Sequence, residues 1–463
     1  MNQSKQQQNR ALVIIITAVA ATGGLLFGFD TGVISGAKPF FRDFWSLTDK
    51  QIEWITTAGL FGAIFGAAFS GRITDILGRK IVIIASAVIF AFGALWTGWA
   101  NSPSGLFVGR LFIGIAIGIS SYAVPMYIAE IAPTKQRGAL VSAFQLLITI
   151  GIFVSYLSDL AFAKENDLES WRPMFLIGVV PAFILLVGMF FLPETPRFLI
   201  GKGKEERGRR ILERLEDPAL VEESIQKMKE EIKLASQSAH SWREIMQPWL
   251  RTALFIGIGI MFVQQFIGIN TVIYYCPEIF KNAGFESKVA QIAASVSVGM
   301  VNVLFTIVSM MVIDKIGRRK LYFIGVIGNV IALISLALSF AFRDSLGSSM
   351  KWVTVALVLL YIVFFAISLG PLGWLIISEI YPLKVRGVGM SIGALSNWGF
   401  NAIVTFTFLT FLRILSPTGA FLLYACVGVL GLIWGYYFIP ETKGHTLEHI
   451  EEHWRQGKKP RDL

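Results

Sequence analysis

Apolar stretches of roughly 20 residues recur twelve times along the chain, near 11–37, 52–71, 81–100, 104–128, 139–162, 173–192, 252–276, 289–313, 321–342, 352–378, 387–412 and 419–439. At 1.5 Å per residue, a helix of that length crosses about 30 Å of hydrocarbon. The pattern therefore predicts an all-α membrane protein with twelve transmembrane helices. The first stretch is too long for a removable leader and lacks a small-residue cleavage site, so it counts as a span.

The polar stretch 193–250 divides the spans into two sets of six. The expected domains are an N-terminal six-helix bundle over 11–192, a linker over 193–250, a C-terminal bundle over 251–440 and a tail over 441–463. Within the linker, GKGKEERGRRILERLE and ALVEESIQKMKEEIKLAS place apolar residues at helical spacing among mixed charges. They predict short surface helices. GKGKEERG lacks the Walker spacing and an upstream strand, so it is not a phosphate loop.

The two halves repeat each other. GRITDILGRK at 71–80 is echoed by MVIDKIGRRK at 311–320, YIAEIAPTKQRG at 127–138 by IISEIYPLKVRG at 376–387, and PETPR at 193–197 by PETKG at 440–444. The offsets are 240, 249 and 247 residues, each motif following the matching span. Three echoes in register imply duplication, and a parallel six-span repeat is a transporter architecture with its substrate site near the midplane between the halves.

Composition and charge agree. Charged residues make up 16% of the chain and hydrophobic residues 54%, against about 25% charged in soluble domains, which excludes a soluble enzyme. The net charge of +10 needs no nucleic acid, because it is distributed by side. With twelve spans, 30 Lys and Arg fall on one side and 10 on the other, with Arg110 left inside the membrane. The positive-inside rule puts both termini in the cytoplasm, as a multi-pass protein of the cell membrane. Cys276 and Cys426 fall within spans, where they are expected to act as small buried hydrophobes.

The motif set GRITDILGRK, the E-x6-R pairs Glu130/Arg137 and Glu379/Arg386, PETPRFL, QQFIGINTVIYY, GPLGW and PETKG resembles the sugar porter family of the major facilitator superfamily. The resemblance spans nearly the whole chain. It implies two six-helix bundles related by a pseudo-two-fold axis, with short cytoplasmic helices. It also implies import of a monosaccharide, hexose or pentose, by alternating access. The protein would not be an enzyme, would use no cofactor beyond a proton as coupling ion, and would work as a monomer in membrane lipid.

The run from Ala11 to Ala37 carries one charged side chain, Asp30, about seven residues from the outer end of span 1. Arg110 lies about six residues inside the outer end of span 4, so both sit roughly 10 Å below the boundary. Intramembrane charges at one depth are each other's expected partners. Burial favours the neutral acid and a neighbouring guanidinium favours the carboxylate, so their separation can switch a proton. The residues alone leave open a static ion pair holding two helices together. The resemblance implies coupling, since an Asp in GFDTGV is typical of proton symporters and Asn of facilitative relatives; the alternative is a uniporter of the same fold. Gly24, Gly28, Gly32 and Gly36, with Gly114 and Gly118 on span 4, predict close helix packing. Asp159, near the outer end of span 5, is expected close to water.

A sugar site needs amides that donate and accept, and an aromatic surface. Span 7 supplies Gln264, Gln265, Asn270, Tyr274 and Tyr275, which one straight helix cannot gather on one face. Gly268 between them predicts a break lining a cavity. By resemblance, Gln145, Gln264, Gln265, Asn270, Asn302 and Trp374 are sugar contacts. Phe27, Tyr274, Gly370, Asn397 and Trp398 are near neighbours on the same ground.

At the basic ends, Asp75, Arg79, Glu130, Arg137 and Glu194 in the first half match Arg318, Arg319, Glu379, Arg386 and Glu441 in the second. They are expected to form a cytoplasmic gate. HIEEH at 449–453 matches a zinc-protease string, but the short tail leaves no room for a catalytic domain, and no metal site is expected.

Overall fold

The computed structural model describes residues 3–133, 137–216, 218–237, 244–382 and 385–463. Regular structure among the described residues is helical throughout. Helices α1 (Gln3–Phe44), α2 (Asp49–Leu77), α3 (Arg79–Gly98), α4 (Pro103–Ile131) and α5 (Arg137–Phe162) are followed by α6 (Trp171–Leu176) and α7 (Val179–Phe191). They carry the first six apolar stretches. The linker forms α8 (Pro196–Gly201), α9 (Glu205–Leu215) and α10 (Pro218–Gln237), around a small core of Ile200, Leu212, Val221 and Ile225.

The second half begins with α11 (Arg251–Phe266), α12 (Ile269–Tyr274) and α13 (Cys276–Asn282). It continues through α14 (Lys288–Ile316), α15 (Arg318–Ala341), α16 (Arg343–Leu346), α17 (Met350–Ile367) and α18 (Leu369–Glu379). The long α19 (Arg386–Phe438) precedes the tail helix α20 (Leu447–Arg455). Among the described residues, eleven stretches are long and apolar enough to span a membrane. The last holds two of the expected spans, because Ser416 leaves helical geometry (φ 60°, ψ 168°) just before Pro417. Divided there, the count is twelve.

Glycine marks the breaks that matter. Gly268, at φ +97°, separates α11 from α12 as the sequence predicts. Gly78 and Gly317 adopt nearly the same left-handed geometry, φ 96°, ψ 158° and φ 95°, ψ 162°. A Cβ at Gly78 would come within 2.3 Å of Glu194 Oε2, and one at Gly317 within 2.5 Å of Glu441 Oε2. The duplicated motif thus needs glycine for conformation and for room.

By internal packing the chain forms two compact units: Met1–Asp30 with Phe61–Gly151 and Phe175–Ala239, and Thr31–Leu60 with Ile152–Met174 and His240–Leu463. This division cuts across the sequence repeat, and α1, α2 and α5 each contribute to both. In the first unit, Gly24 packs on Phe144 and Gly151 on the Leu25 carbonyl, joining α1 to α5, while Gly118 meets the Ala63 carbonyl, joining α4 to α2. In the second, Gly32 and Gly36 lie against Ser155 and Asp159 of α5. The α1 stripe therefore serves α5, and the α4 stripe serves α2.

Two expectations are corrected. Asp159 is fully buried, since α5 turns it onto Gly36 and away from the water expected near a span end. Cys276 is buried, but Cys426 is exposed on the outer face of α19, which an apolar segment tolerates where its surroundings are apolar.

Candidate functional site

In the first unit, Arg110 Nη1 on α4 donates to Asp30 Oδ1 on α1. Both side chains are buried, at 2% and 7% exposure, and the guanidinium carbon lies 6.0 Å from the Phe175 ring centroid. Arg110 Nε has no hydrogen-bond partner among the described residues. A buried pair kept for stability alone needs excellent geometry and its remaining donors satisfied. This one leaves a donor open, so it holds together without being saturated.

In the second unit the break at Gly268 lets α11 and α12 present their amides together. Gln264 Nε2 donates to the carbonyls of Leu369 at 2.7 Å and Gly370 at 3.1 Å. They lie in the first turn of α18, just after the chain leaves helical geometry at Ser368 (φ −127°, ψ −92°), and accept from Gln264 with their second lone pairs. Gln264 Oε1 accepts from Asn397 Nδ2 at 2.6 Å and from Gln265 Nε2 at 3.4 Å. Gln265 Oε1 in turn accepts from Asn270 Nδ2 at 2.5 Å. Four amides form one chain of bonds rooted in a helix break.

The network is buried at Gln264, Gln265 and Asn397 and half-buried at Asn270. Trp374 and Gly370 are half-buried on α18, Asn302 is buried on α14 and Trp398 is buried on α19. The Tyr274 carbonyl accepts from Lys38 at 2.6 Å. Gln145 and Phe27 are half-buried members of the first unit.

The motif residues at the basic ends repeat the same set of partners. In the first half Arg79 bonds Glu130 Oε1 at 3.1 Å, Thr195 Oγ1 donates to Glu130 Oε2 at 2.6 Å, and Glu194 accepts from the Lys80 amide at 3.1 Å. In the second, Arg318 bonds Glu379 Oε1 at 2.8 Å, Thr442 donates to Glu379 Oε2 at 2.5 Å, and Glu441 accepts from the Arg319 amide at 3.2 Å. Asp75 joins Arg79 at 3.3 Å from an exposed position. Glu194 has its carboxyl pushed above the usual range by burial, against the pull of amide hydrogen bonds from Thr195 and Lys80.

Both Glu379 oxygens accept from Arg318 and Thr442, while Arg386 Nε and Nη2 have no hydrogen-bond partner among the described residues and Arg386 feels Glu379 only through its charge. The Arg319 side chain donates to the carbonyls of Ile439 and Tyr436, and its backbone amide to Glu441. The Arg137 side chain lies outside what the structure describes. In the tail, His453 Nε2 contacts the Lys459 carbonyl at 2.9 Å and Trp454 donates to the Ile380 carbonyl at 3.0 Å, so HIEEH is a packed tail helix.

Sequence reasoning passed over a set of contacts at the opposite ends of the helices, within the second unit. Lys38 is buried with its ammonium 3.5 Å from the Tyr275 ring centroid. Glu53, also buried, accepts from the Thr410 amide at 2.7 Å and its hydroxyl at 2.9 Å. Arg42 bonds Glu278, and Lys288 bonds Asp43 at 2.5 Å. The signal was an acid or base at the margin of an apolar stretch.

A twelve-span helical fold with an intramembrane ion pair and a buried amide chain beside a helix break defines a polytopic membrane transporter. The family model described as "Sugar (and other) transporter" matches residues 16–454, and the chain belongs to that family. It is 37% identical to the galactose-proton symporter of Escherichia coli strain K12, over 100% of this chain and 99% of that one. It is 41% identical to the glucose transporter GlcP of Staphylococcus epidermidis, over 97% and 98%. Among solved structures it is similar to the major facilitator superfamily proton:xylose symporter XylE bound to 6-bromo-6-deoxy-D-glucose, with a TM-score of 0.80 and 30% identity over 96% of this chain and 100% of that one. The partially occluded inward-open conformation of E. coli XylE has a TM-score of 0.82, 30% identity and coverage of 94% and 99%.

Proposed function

We infer that the protein is a secondary active transporter that imports a monosaccharide together with a proton by alternating access. The observation that carries this reading is the buried Asp30–Arg110 contact with its open Arg110 Nε. Arg110 keeps its charge under all ordinary conditions, whereas Asp30 can take a proton. When Asp30 binds a proton it loses its attraction for Arg110, and helix α1 is released from α4. A proton entering across about 100 mV supplies about 2.3 kcal/mol, enough for roughly a 50-fold gradient of a neutral solute.

The sugar hydroxyls would exchange hydrogen bonds with Gln264, Gln265, Asn270 and Asn397, with Gln145 and Asn302 as further contacts and Trp374 as the aromatic surface. Tyr274, Gly370 and Trp398, of the same unit as Gln264, would border that set. Amides suit a polyol because each offers a donor and an acceptor. The relatives that carry galactose, glucose and xylose support a monosaccharide as the cargo. The excess of Lys and Arg on one side supports cytoplasmic termini. On that orientation, the Glu130 and Glu379 networks brace the inner ends and the Lys38, Arg42 and Glu53 contacts close the outer ends. One chain in a lipid bilayer supplies every residue invoked.

Uptake of a panel of radiolabelled monosaccharides into proteoliposomes, with and without an imposed pH gradient, tests the reading. Accumulation of one of them that requires the gradient supports it; equilibration alone, gradient or none, refutes the coupling.

A further inference from the structure

Asp159 on α5 is 0% exposed; the Gly36 backbone amide lies near its carboxyl, but neither oxygen has a hydrogen-bond partner of good geometry among the described residues. The group lies against Gly36 of α1, where even a Cβ would come within 2.3 Å of Oδ2. The neighbouring Ser35 hydroxyl is also buried, beside the Tyr156 hydroxyl. An ionised carboxylate shut away without a partner is among the costliest arrangements in a protein, so such a group must lose its charge or gain a partner.

The titratable groups around it are few. On α1, Lys38 directs its ammonium to the Tyr274 carbonyl at 2.6 Å. On α5, Tyr156 donates to the Ile273 carbonyl at 2.8 Å. Tyr274 of α12 and Cys276 of α13 are buried beside Tyr156. The Tyr156 and Lys38 bonds join α5 and α1 to the end of α12, and so seal Asp159 from water.

We propose that Asp159 is a second proton-binding carboxyl, taking one proton from the outer solution as the ends of α1, α5 and α12 close over it and returning it when they part. In the open state water solvates the carboxylate; on closing, one carboxylate oxygen gains an O–H bond and the group enters the seal neutral. Acidifying the outer medium therefore favours closure. This device is separate from Asp30, which faces Arg110, though it rests on the orientation inferred above.

The native thiol of Cys276 reports the state of the seal, because it is fully buried where those ends meet. In a Cys426→Ser background, labelling of Cys276 by a membrane-impermeant thiol reagent added outside is followed as the outer pH is lowered. Thiolate chemistry slows labelling in any variant, so the readout is the difference from Asp159→Asn, which mimics the neutral acid. Protection should deepen with acid in the Asp159 chain beyond that baseline, and Asp159→Asn should be protected at every pH. Equal pH dependence in the two overturns the proposal.

A second measurement needs no transport. Infrared spectra of the purified Asp30→Asn protein should show a protonated carboxylic-acid C=O band that Asp30→Asn/Asp159→Asn lacks. A band unchanged by the second substitution, or absent from Asp30→Asn, overturns the proposal. The second of these outcomes stands even if the Asp159 variant fails to fold. Failure here with pH-driven uptake intact would leave the transport reading standing.

Discussion

Tyr156, in the first sequence half, donates its hydroxyl to the carbonyl of Ile273, in the second, at 2.8 Å within one compact unit. Ile273 belongs to α12, the short helix that begins after the Gly268 break and follows the amides of Gln264 and Gln265. The break that gathers the polar groups also turns a backbone carbonyl toward α5. Closure of the helix ends and the shape of the amide network therefore share one piece of chain.

Tyr156→Phe removes that bond and the weaker contact of the same hydroxyl with Ser35. A buried hydrogen bond is worth about 0.5–1.5 kcal/mol net, so the closed outer state should lose roughly 2- to 10-fold in population. The variant's apparent affinity for sugar added outside should rise by up to that factor, measured as competition in sugar exchange.

Gln264→Ala removes two donations to α18 carbonyls and the acceptor for Asn397. The Leu369 and Gly370 carbonyls keep their bonds within α18 and Asn397 keeps only a weak contact with Met261 Sδ at 3.4 Å, so the main loss is the anchor that orients the other amides, at about 1–3 kcal/mol. Equilibrium sugar binding should fall by tenfold or more, and Asn270→Ala, at the end of the chain of bonds, should cost less. Calorimetric titration of the purified variants orders them.

Arg79→Gln and Arg318→Gln should differ in thermal stability although they sit in repeated motifs. The Glu130 side chain is 7% exposed and Glu379 is 23% exposed. Stranding a buried charge costs about 3–5 kcal/mol, and water relieves that cost where it can reach. The midpoint of unfolding in detergent should drop further for Arg79→Gln.

Much of this was legible in the sequence. Twelve apolar stretches gave the spans, and repeated GRK, E-x6-R and PET strings gave the duplication because each has a fixed place at a helix end. Asp30 and Arg110 found each other by depth alone. Three features were not legible. The two Thr side chains that bond Glu130 and Glu379 look like ordinary motif residues until the chain folds back. That Arg318 of a neighbouring helix is the hydrogen-bond partner of Glu379 is set by packing and has no sign in the spacing of the motif. Asp159 looks peripheral by position, and only the rotation of α5 on the α1 glycines buries it.

Glu165, between α5 and α6, accepts from the Ser287 hydroxyl at 2.8 Å and the amides of Lys288 and Val289 at 3.1 and 3.2 Å, capping α14. Desolvation is the largest single effect and pushes its carboxyl up, but those bonds and the Lys288 ammonium together outweigh it and hold the group below the usual 4.5. A depressed acid stabilises the fold above its unfolded value and loses that contribution as pH falls through the folded one. The cap should therefore weaken only below about pH 4.5, and by less than about 1 kcal/mol because the site is exposed. Amide exchange at the start of α14 should quicken in acid in the Glu165 chain and show no such acid step in Glu165→Gln.

The central claim is that Asp30 couples the proton to the sugar. Its most direct test is Asp30→Asn in proteoliposomes, comparing accumulation of the transported sugar under an inward proton gradient with exchange of labelled for unlabelled sugar at equal pH. The variant should exchange sugar but accumulate none above equilibrium. Accumulation equal to that of the unaltered protein would contradict the account.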